Sequence, residues 1–230
     1  MFEWARAAGL PMLGGYDVHA YYRDASVRAH FWAAGQDARD PNDKYKIAGK
    51  IPILPKLQKT IVIFPGFTEF CEKYSKEVLR FHEWGYNVLV IDWPGQGQSG
   101  HFGWHPLAVH CDDFDHHIGA MDAIIEKAGL GDHDLILFGH SMGGHLALRY
   151  AVWRPCNVKA VILSAPMMAP PVMPVWLIRI ASHLLSNIGL SRRHPPFYRA
   201  LSLDVVRHYR IENTLTRDPR GYEEQFIWFD

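Results

Sequence analysis

Residues 135–150 read LILFGHSMGGHLALRY, and this stretch decides the fold. Leu135 to Phe138 form a continuous apolar run, the pattern of a strand covered on both faces. Gly139-His140-Ser141-Met142-Gly143 follows, and then a helical pattern begins. Gly143, Ala147 and Ala151 recur at i, i+4 and i+8, a small-residue face that lets a helix lie close to a sheet, and Pro155 ends it. G-x-S-x-G directly after a strand and directly before a helix is the setting in which a serine is held on a sharp, strained turn. Side chains at the glycine positions would collide with neighbouring backbone. The helix N-terminus supplies amide donors and a partial positive charge. Ser141 is therefore the candidate nucleophile, and the amide of Met142, the next residue, is one expected oxyanion donor.

Working outward, IVIF (61–64), VLVI (88–91) and AVIL (160–163) are also continuous apolar runs and predict further central strands. IVIF leads into Pro65-Gly66-Phe67-Thr68-Glu69, a turn placed where a second oxyanion donor belongs, and the amide of Phe67 is assigned that role. An ordinary turn needing Gly66 for its conformation is the alternative. Between the strands, Tyr74, Val78 and Phe81 share a helical face that Gly85 closes. Phe114, Ile118, Met121, Ile125 and Ala128 form a longer stripe, opened by Asp112 and Asp113 and closed by Gly129. Strand and helix alternating in this way predict an α/β fold, a doubly wound, mostly parallel sheet. VRAHFW (27–32) predicts an outer antiparallel strand, and residues 35–58 read as loop. After Ala165 the chain turns rich in Pro, Met and bulky apolar residues. The expected division is a core over 1–165 and a helical cap, C-terminally incomplete, over 166–230.

Composition narrows the function. Lys and Arg total 24, Asp and Glu also 24, so there is no net field to draw nucleic acid. Cys71, Cys111 and Cys156 are widely spaced and form no CxxC, which points to neither a disulfide framework nor a zinc ribbon. The N-terminus has no basic start followed by a long apolar run, and the expected location is cytoplasmic. The Met and Trp residues around 167–176 suit either a cap in transient contact with a membrane surface or plain helix packing.

The chain resembles the α/β-hydrolase superfamily, and within it the group of monoacylglycerol lipase, lysophospholipase L2 and serine aminopeptidase S33. PGFTEFCEKY (65–74) matches the oxyanion turn and first helix, IDWPGQGQSG (91–100) a D-x-x-G-x-G-x-S loop, and GHSMGG (139–144) the elbow, with PMM (166–168) after the next strand. The likeness runs from about residue 25 to the last residue. Pro65 departs from it, since many members carry His before the oxyanion glycine. The resemblance implies hydrolysis of a carboxylic ester, a monoacylglycerol or lysophospholipid, with no metal or organic cofactor.

Several features rival that reading. Gly95-Gln96-Gly97-Gln98-Ser99-Gly100 fits a dinucleotide pattern, but Trp93-Pro94 intervene after the strand and no helix opens. The resemblance places this loop near the active-site mouth, with Asp92 and Ser99 structural. His101, His105, His110, His116 and His117 are crowded, yet their spacing fits no familiar ligand set. His145 lies one turn beyond Ser141 on the same helix, whereas an elbow serine projects away from its helix. In this fold the acid and then the histidine follow strands later than AVIL. Asp204, Asp218, His194 and His208 lie in cap-like sequence and follow no apolar run. The acid and base are therefore expected to be absent from this chain. It should then be catalytically impaired, with an apolar sheet edge bared at AVIL. A peptidase of the same fold, or a non-catalytic hydrolase-like binding protein, are the competing functions.

Overall fold

A computed structural model describes residues 15–34, 59–102, 111, 113–155, 157–168 and 175–187. The strands are β1 (Tyr16–Tyr22), β2 (Ala25–Trp32), β3 (Thr60–Phe64), β4 (Asn87–Asp92), β5 (Leu135–His140) and β6 (Val158–Ser164). The helices are α1 (Ser75–Glu83), α2 (Asp115–Lys127), α3 (Met142–Trp153) and α4 (Val175–Asn187), and a 3-10 turn over Cys71–Tyr74 precedes α1. One sheet runs in the order β1-β2-β4-β3-β5-β6. β4, β3, β5 and β6 are mutually parallel, while β2 pairs antiparallel with both β1 and β4.

The apolar runs of β3, β4 and β5 form strands because each side of the sheet has cover there, while β6 is mostly exposed. On one face Val62, Phe64, Leu89, Ile91, Leu135 and Leu137 pack with Ile118, Met121 and Ile124 of α2 and Leu146, Ala147 and Tyr150 of α3. On the other, Ile61, Ile63, Val88 and Val90 pack with Tyr74, Val78 and Trp32. Each such Leu or Ile contributes about 1.5–3 kcal/mol by leaving water. Gly85 and Gly129 take positive φ of 82° and 67° just past α1 and α2, which ends each helix.

One expectation changes. β2 is not the outer strand. Tyr16–Tyr22 pairs outside it, burying Val18 and Ala20 between exposed neighbours, and β1 thereby becomes that edge. The region 35–58 lies outside the described residues. The described chain divides into two compact units between Met167 and Met168. In the second unit, α4 exposes Trp176, Ile180 and Leu184, spaced i, i+4, i+8 along one stripe. No helix among the described residues is long and apolar enough to cross a membrane.

Candidate active site

β3 and β5 are parallel neighbours with Phe64 opposite Gly139, so the turn leaving β3 and the elbow leaving β5 meet at the same end of the sheet. Ser141 joins β5 to α3 with φ 52° and ψ −119°. A non-glycine residue held there stores about 1–3 kcal/mol of strain. The surrounding backbone enforces it. The Ser141 amide donates to the Ser164 carbonyl at 3.0 Å, and the Ser141 carbonyl accepts from Gly144 at 3.0 Å and Met167 at 2.8 Å.

The three glycines of the elbow have no room for a side chain. A Cβ on Gly139 would stand 2.6 Å from the Gly143 carbonyl oxygen, one on Gly143 1.9 Å from the Phe64 carbonyl oxygen, and one on Gly144 2.8 Å from Pro166 Cβ. Together they let α3 start directly against the ends of β3, β5 and β6. Met142, buried, is the first residue of that helix. Its amide belongs to the first turn, whose N–H groups have no partner within the helix.

The turn after β3 lies against the serine: a Cβ on Gly66 would come within 3.2 Å of Ser141 Cβ. Phe67 is 41% exposed at its crest. Beneath it Glu69 is buried. Its Oε2 accepts from the Gly66 amide at 2.6 Å and the Tyr74 hydroxyl at 2.5 Å, and its Oε1 accepts from Lys73 Nζ at 2.9 Å. Burial alone would raise the Glu69 carboxyl, but Lys73, Tyr74 and Gly66 together outweigh it and hold it below its ordinary value.

The loop after β4 secures the same turn from the other side. Trp93 Nε1 donates to the Pro65 carbonyl at 2.9 Å, Gln96 Oε1 accepts from the Thr68 amide, and Asp92 Oδ1 accepts from the Cys71 amide at 2.7 Å. Asp92 is fully buried and pairs at 3.0 Å with Arg28, which also meets Asp17 and Glu72 at 2.9 Å each. Ser99 Oγ donates to the Asp92 carbonyl at 2.6 Å and accepts from the Arg28 amide at 2.8 Å. The glycine pattern at 95–100 therefore forms a self-closed loop. A Cβ on Gly97 would meet the Asp92 carboxylate at 2.3 Å.

The structure thus brings Ser141, Met142 and the Gly66-Phe67 turn together. His145 lies on α3 against Phe114, their rings 5.2 Å apart. His140, next to Ser141, has Nδ1 3.3 Å from Ser164 Oγ and Nε2 3.9 Å from Glu69 Oε1. Among the described residues no side chain hydrogen-bonds the Ser141 hydroxyl, and no group of three His, Cys, Asp or Glu is arranged to hold a metal. Asp204, Asp218, His194 and His208 lie outside the described residues, as do His105, His110 and Cys156. Sequence reasoning missed Glu69, Trp93 and Gln96. The available signal was a carboxylate, an indole and an amide in the two segments that flank the elbow.

A mostly parallel sheet flanked by helices, with a serine on a positive-φ turn between the strand β5 and the helix that follows it, defines an α/β hydrolase. A solved alpha/beta hydrolase from Novosphingobium aromaticivorans DSM 12444 shares this fold, with a TM-score of 0.51 and 17% identity over 75% of this chain and 50% of that one. The sequence profile of the family described as serine aminopeptidase, S33 matches residues 55–221, and the chain belongs to that family. Phospholipase YtpA of Bacillus subtilis (strain 168) is 31% identical over 159 residues, 69% of this chain and 58% of that protein. Lysophospholipase L2 of Escherichia coli (strain K12) is 30% identical over 178 residues, 74% of this chain and 50% of that protein. The chain spans about half the length of the curated relatives it matches.

Proposed function

We propose that the protein is a serine hydrolase of lipid-like carboxylic esters, lysophospholipids or monoacylglycerols, working through an acyl-enzyme on Ser141. The hydroxyl oxygen attacks the acyl carbonyl carbon, its proton ends on the leaving alkoxide oxygen, and the carbonyl oxygen gathers negative charge. The amides of Phe67 and Met142 receive that charge, a preorganised pair whose individual donors are worth about 100-fold or more in turnover. The alcohol leaves, and water then releases the acid. On this reading residues 1–165 are the core and 166–230 the cap region, and the exposed Trp176, Ile180 and Leu184 of α4 are an apolar stripe that suits an acyl chain. The single observation that carries the reading is Ser141 held at φ 52° with Gly66 against its Cβ. Two relatives named as a phospholipase and a lysophospholipase support the lipid ester.

A second reading, a hydrolase-like binding protein, draws on the absence of a partner for the Ser141 hydroxyl among the described residues. An unassisted serine is a poor nucleophile. Turnover by the full-length protein decides between them. Hydrolysis of 1-acyl glycerol esters in preference to aminoacyl amides, lost in Ser141→Ala, supports the esterase. Preference for the amides supports a peptidase, and ester binding without turnover supports the binding protein.

A further inference from the structure

We propose, on the hydrolytic reading of Ser141, that Trp93 is a positioning residue for that serine. Its indole N–H holds the carbonyl end of the Pro65–Gly66 peptide while Glu69 holds the amide end, and the doubly held peptide keeps Gly66 packed against the nucleophile.

The Pro65–Gly66 peptide is gripped at both poles. The Pro65 carbonyl accepts from Trp93 Nε1 at 2.9 Å, and the Gly66 amide donates to Glu69 Oε2 at 2.6 Å. The bond is trans, so its carbonyl and its N–H point in opposite directions, and the two side chains hold one plane from opposite sides. Such a plane turns by changing ψ of Pro65 and φ of Gly66. The proline ring fixes φ of Pro65 but not its ψ, and glycine has the least restrained φ of any residue. Without its two anchors this peptide would be free to rotate.

Both anchors are themselves held. Trp93 is fully buried, with its ring 5.5 Å from that of Phe64 and 5.4 Å from that of His117. Glu69 is buried, and Lys73 takes its other oxygen at 2.9 Å. Gly66 is the point at which the turn meets the serine: a Cβ there would stand 2.8 Å from Glu69 Oε2 and 3.2 Å from Ser141 Cβ. Rotation of the peptide would therefore move the wall beside the attacking oxygen, and a misplacement of about 1 Å can cost about 100-fold in rate. An indole suits the task because Pro65 is buried, and its carbonyl, left unpaired, would have no water to turn to.

The test uses two variants of the full-length protein, with p-nitrophenyl butyrate as substrate and thermal melting to confirm folding. Trp93→Phe removes the N–H and shrinks the ring. Benzothienylalanine in place of Trp93 keeps the bicyclic shape and removes only the N–H, so it carries the test alone if the smaller ring does not fold. In the isostere kcat should fall about tenfold with KM within about twofold, since a displaced wall acts on the attack and not on substrate binding. A folded isostere with kcat within about twofold of wild type overturns the proposal, even if its melting temperature drops. So does a loss in Trp93→Phe that the isostere does not share, because that loss traces to ring size.

Amide exchange at Gly66 supplies a readout independent of turnover. It should quicken about tenfold in the isostere, although the indole bonds to the opposite end of the plane, because one lost hydrogen bond frees the whole peptide. Unchanged exchange overturns the proposal. Should the wild-type protein hydrolyse no ester and leave Ser141 unreactive, the hydrolytic reading fails by itself, and the exchange measurement alone decides whether Trp93 holds the peptide.

Discussion

Ser141 stands at the end of a strand with two parallel neighbours, and its two flanks are built differently. On the β3 side the base of the turn is buried and held by named side chains: Phe64, Pro65, Gly66 and Glu69 are buried, and Glu69, Trp93, Gln96 and Asp92 hold the turn at separate points. On the β6 side the ties of Ser141 itself are backbone to backbone, to Ser164 and from Met167, with His140 Nδ1 against Ser164 Oγ at 3.3 Å as the one side-chain contact beside them among those described. Among the described residues β6 is the last strand of the sheet on that side, with Ile162 44% and Leu163 37% exposed. The contrast shows where sequence is constrained. Side-chain ties specify particular residues, whereas backbone ties ask only that the strand be present.

The two adjacent elbow glycines test that contrast most strongly. Gly143 faces the β3 backbone and Gly144 faces Pro166 after β6. Gly143→Ala forces its Cβ into the fixed Phe64 carbonyl and should cost about 3 kcal/mol or more, the upper end of overpacking. Gly144→Ala meets a less confined neighbour and should cost nearer to 1 kcal/mol, read by urea denaturation. Equal losses would erase the distinction between the flanks.

Much of this was legible in advance. The first three apolar runs became strands because unbroken hydrophobicity needs cover on both faces, which the two cores provide, and the fourth, AVIL, became the strand β6 with Ile162 and Leu163 left exposed. The elbow was readable because glycine spacing reports local crowding. β1 was missed because YDVHAYY buries only Val18 and Ala20, too weak an alternation to stand out from a loop. The pins were missed because they join distant positions: Trp93 lies 28 residues from Pro65, and Arg28 lies 64 from Asp92. One-dimensional spacing carries no record of such pairs.

Acid should attack the β3 flank first. Burial, with a smaller contribution from His116, pushes His117 from 6.5 down to about 4. Its ring packs 5.4 Å from Trp93, which holds Pro65. The unfolded chain takes up this proton near 6.5 and the folded chain only near 4. The stability carried by neutral His117 is therefore complete above that upper value and is lost as pH falls through the interval. Urea midpoints across that range should fall more steeply for wild type than for His117→Phe. Parallel slopes would remove His117 from the account.

At the seam between the flanks, Ser141→Gly relieves the positive φ and should raise stability by about 1 kcal/mol, strain release partly offset by glycine's entropy. A lower melting temperature would mean the turn is not strained. The smallest effect belongs to the β6 edge. Ile162→Lys should change stability by less than about 0.5 kcal/mol while reducing self-association seen by light scattering, because a charge on an edge strand blocks pairing. A large destabilisation would show that this face is packed in solution.

The most direct trial of the central claim is to treat the full-length protein with a fluorophosphonate and locate the adduct by peptide mass spectrometry. The account predicts a single phosphonylated residue, Ser141, with labelling abolished in Ser141→Ala. Modification of any other residue, or an unreacted Ser141 in a folded protein, would contradict it.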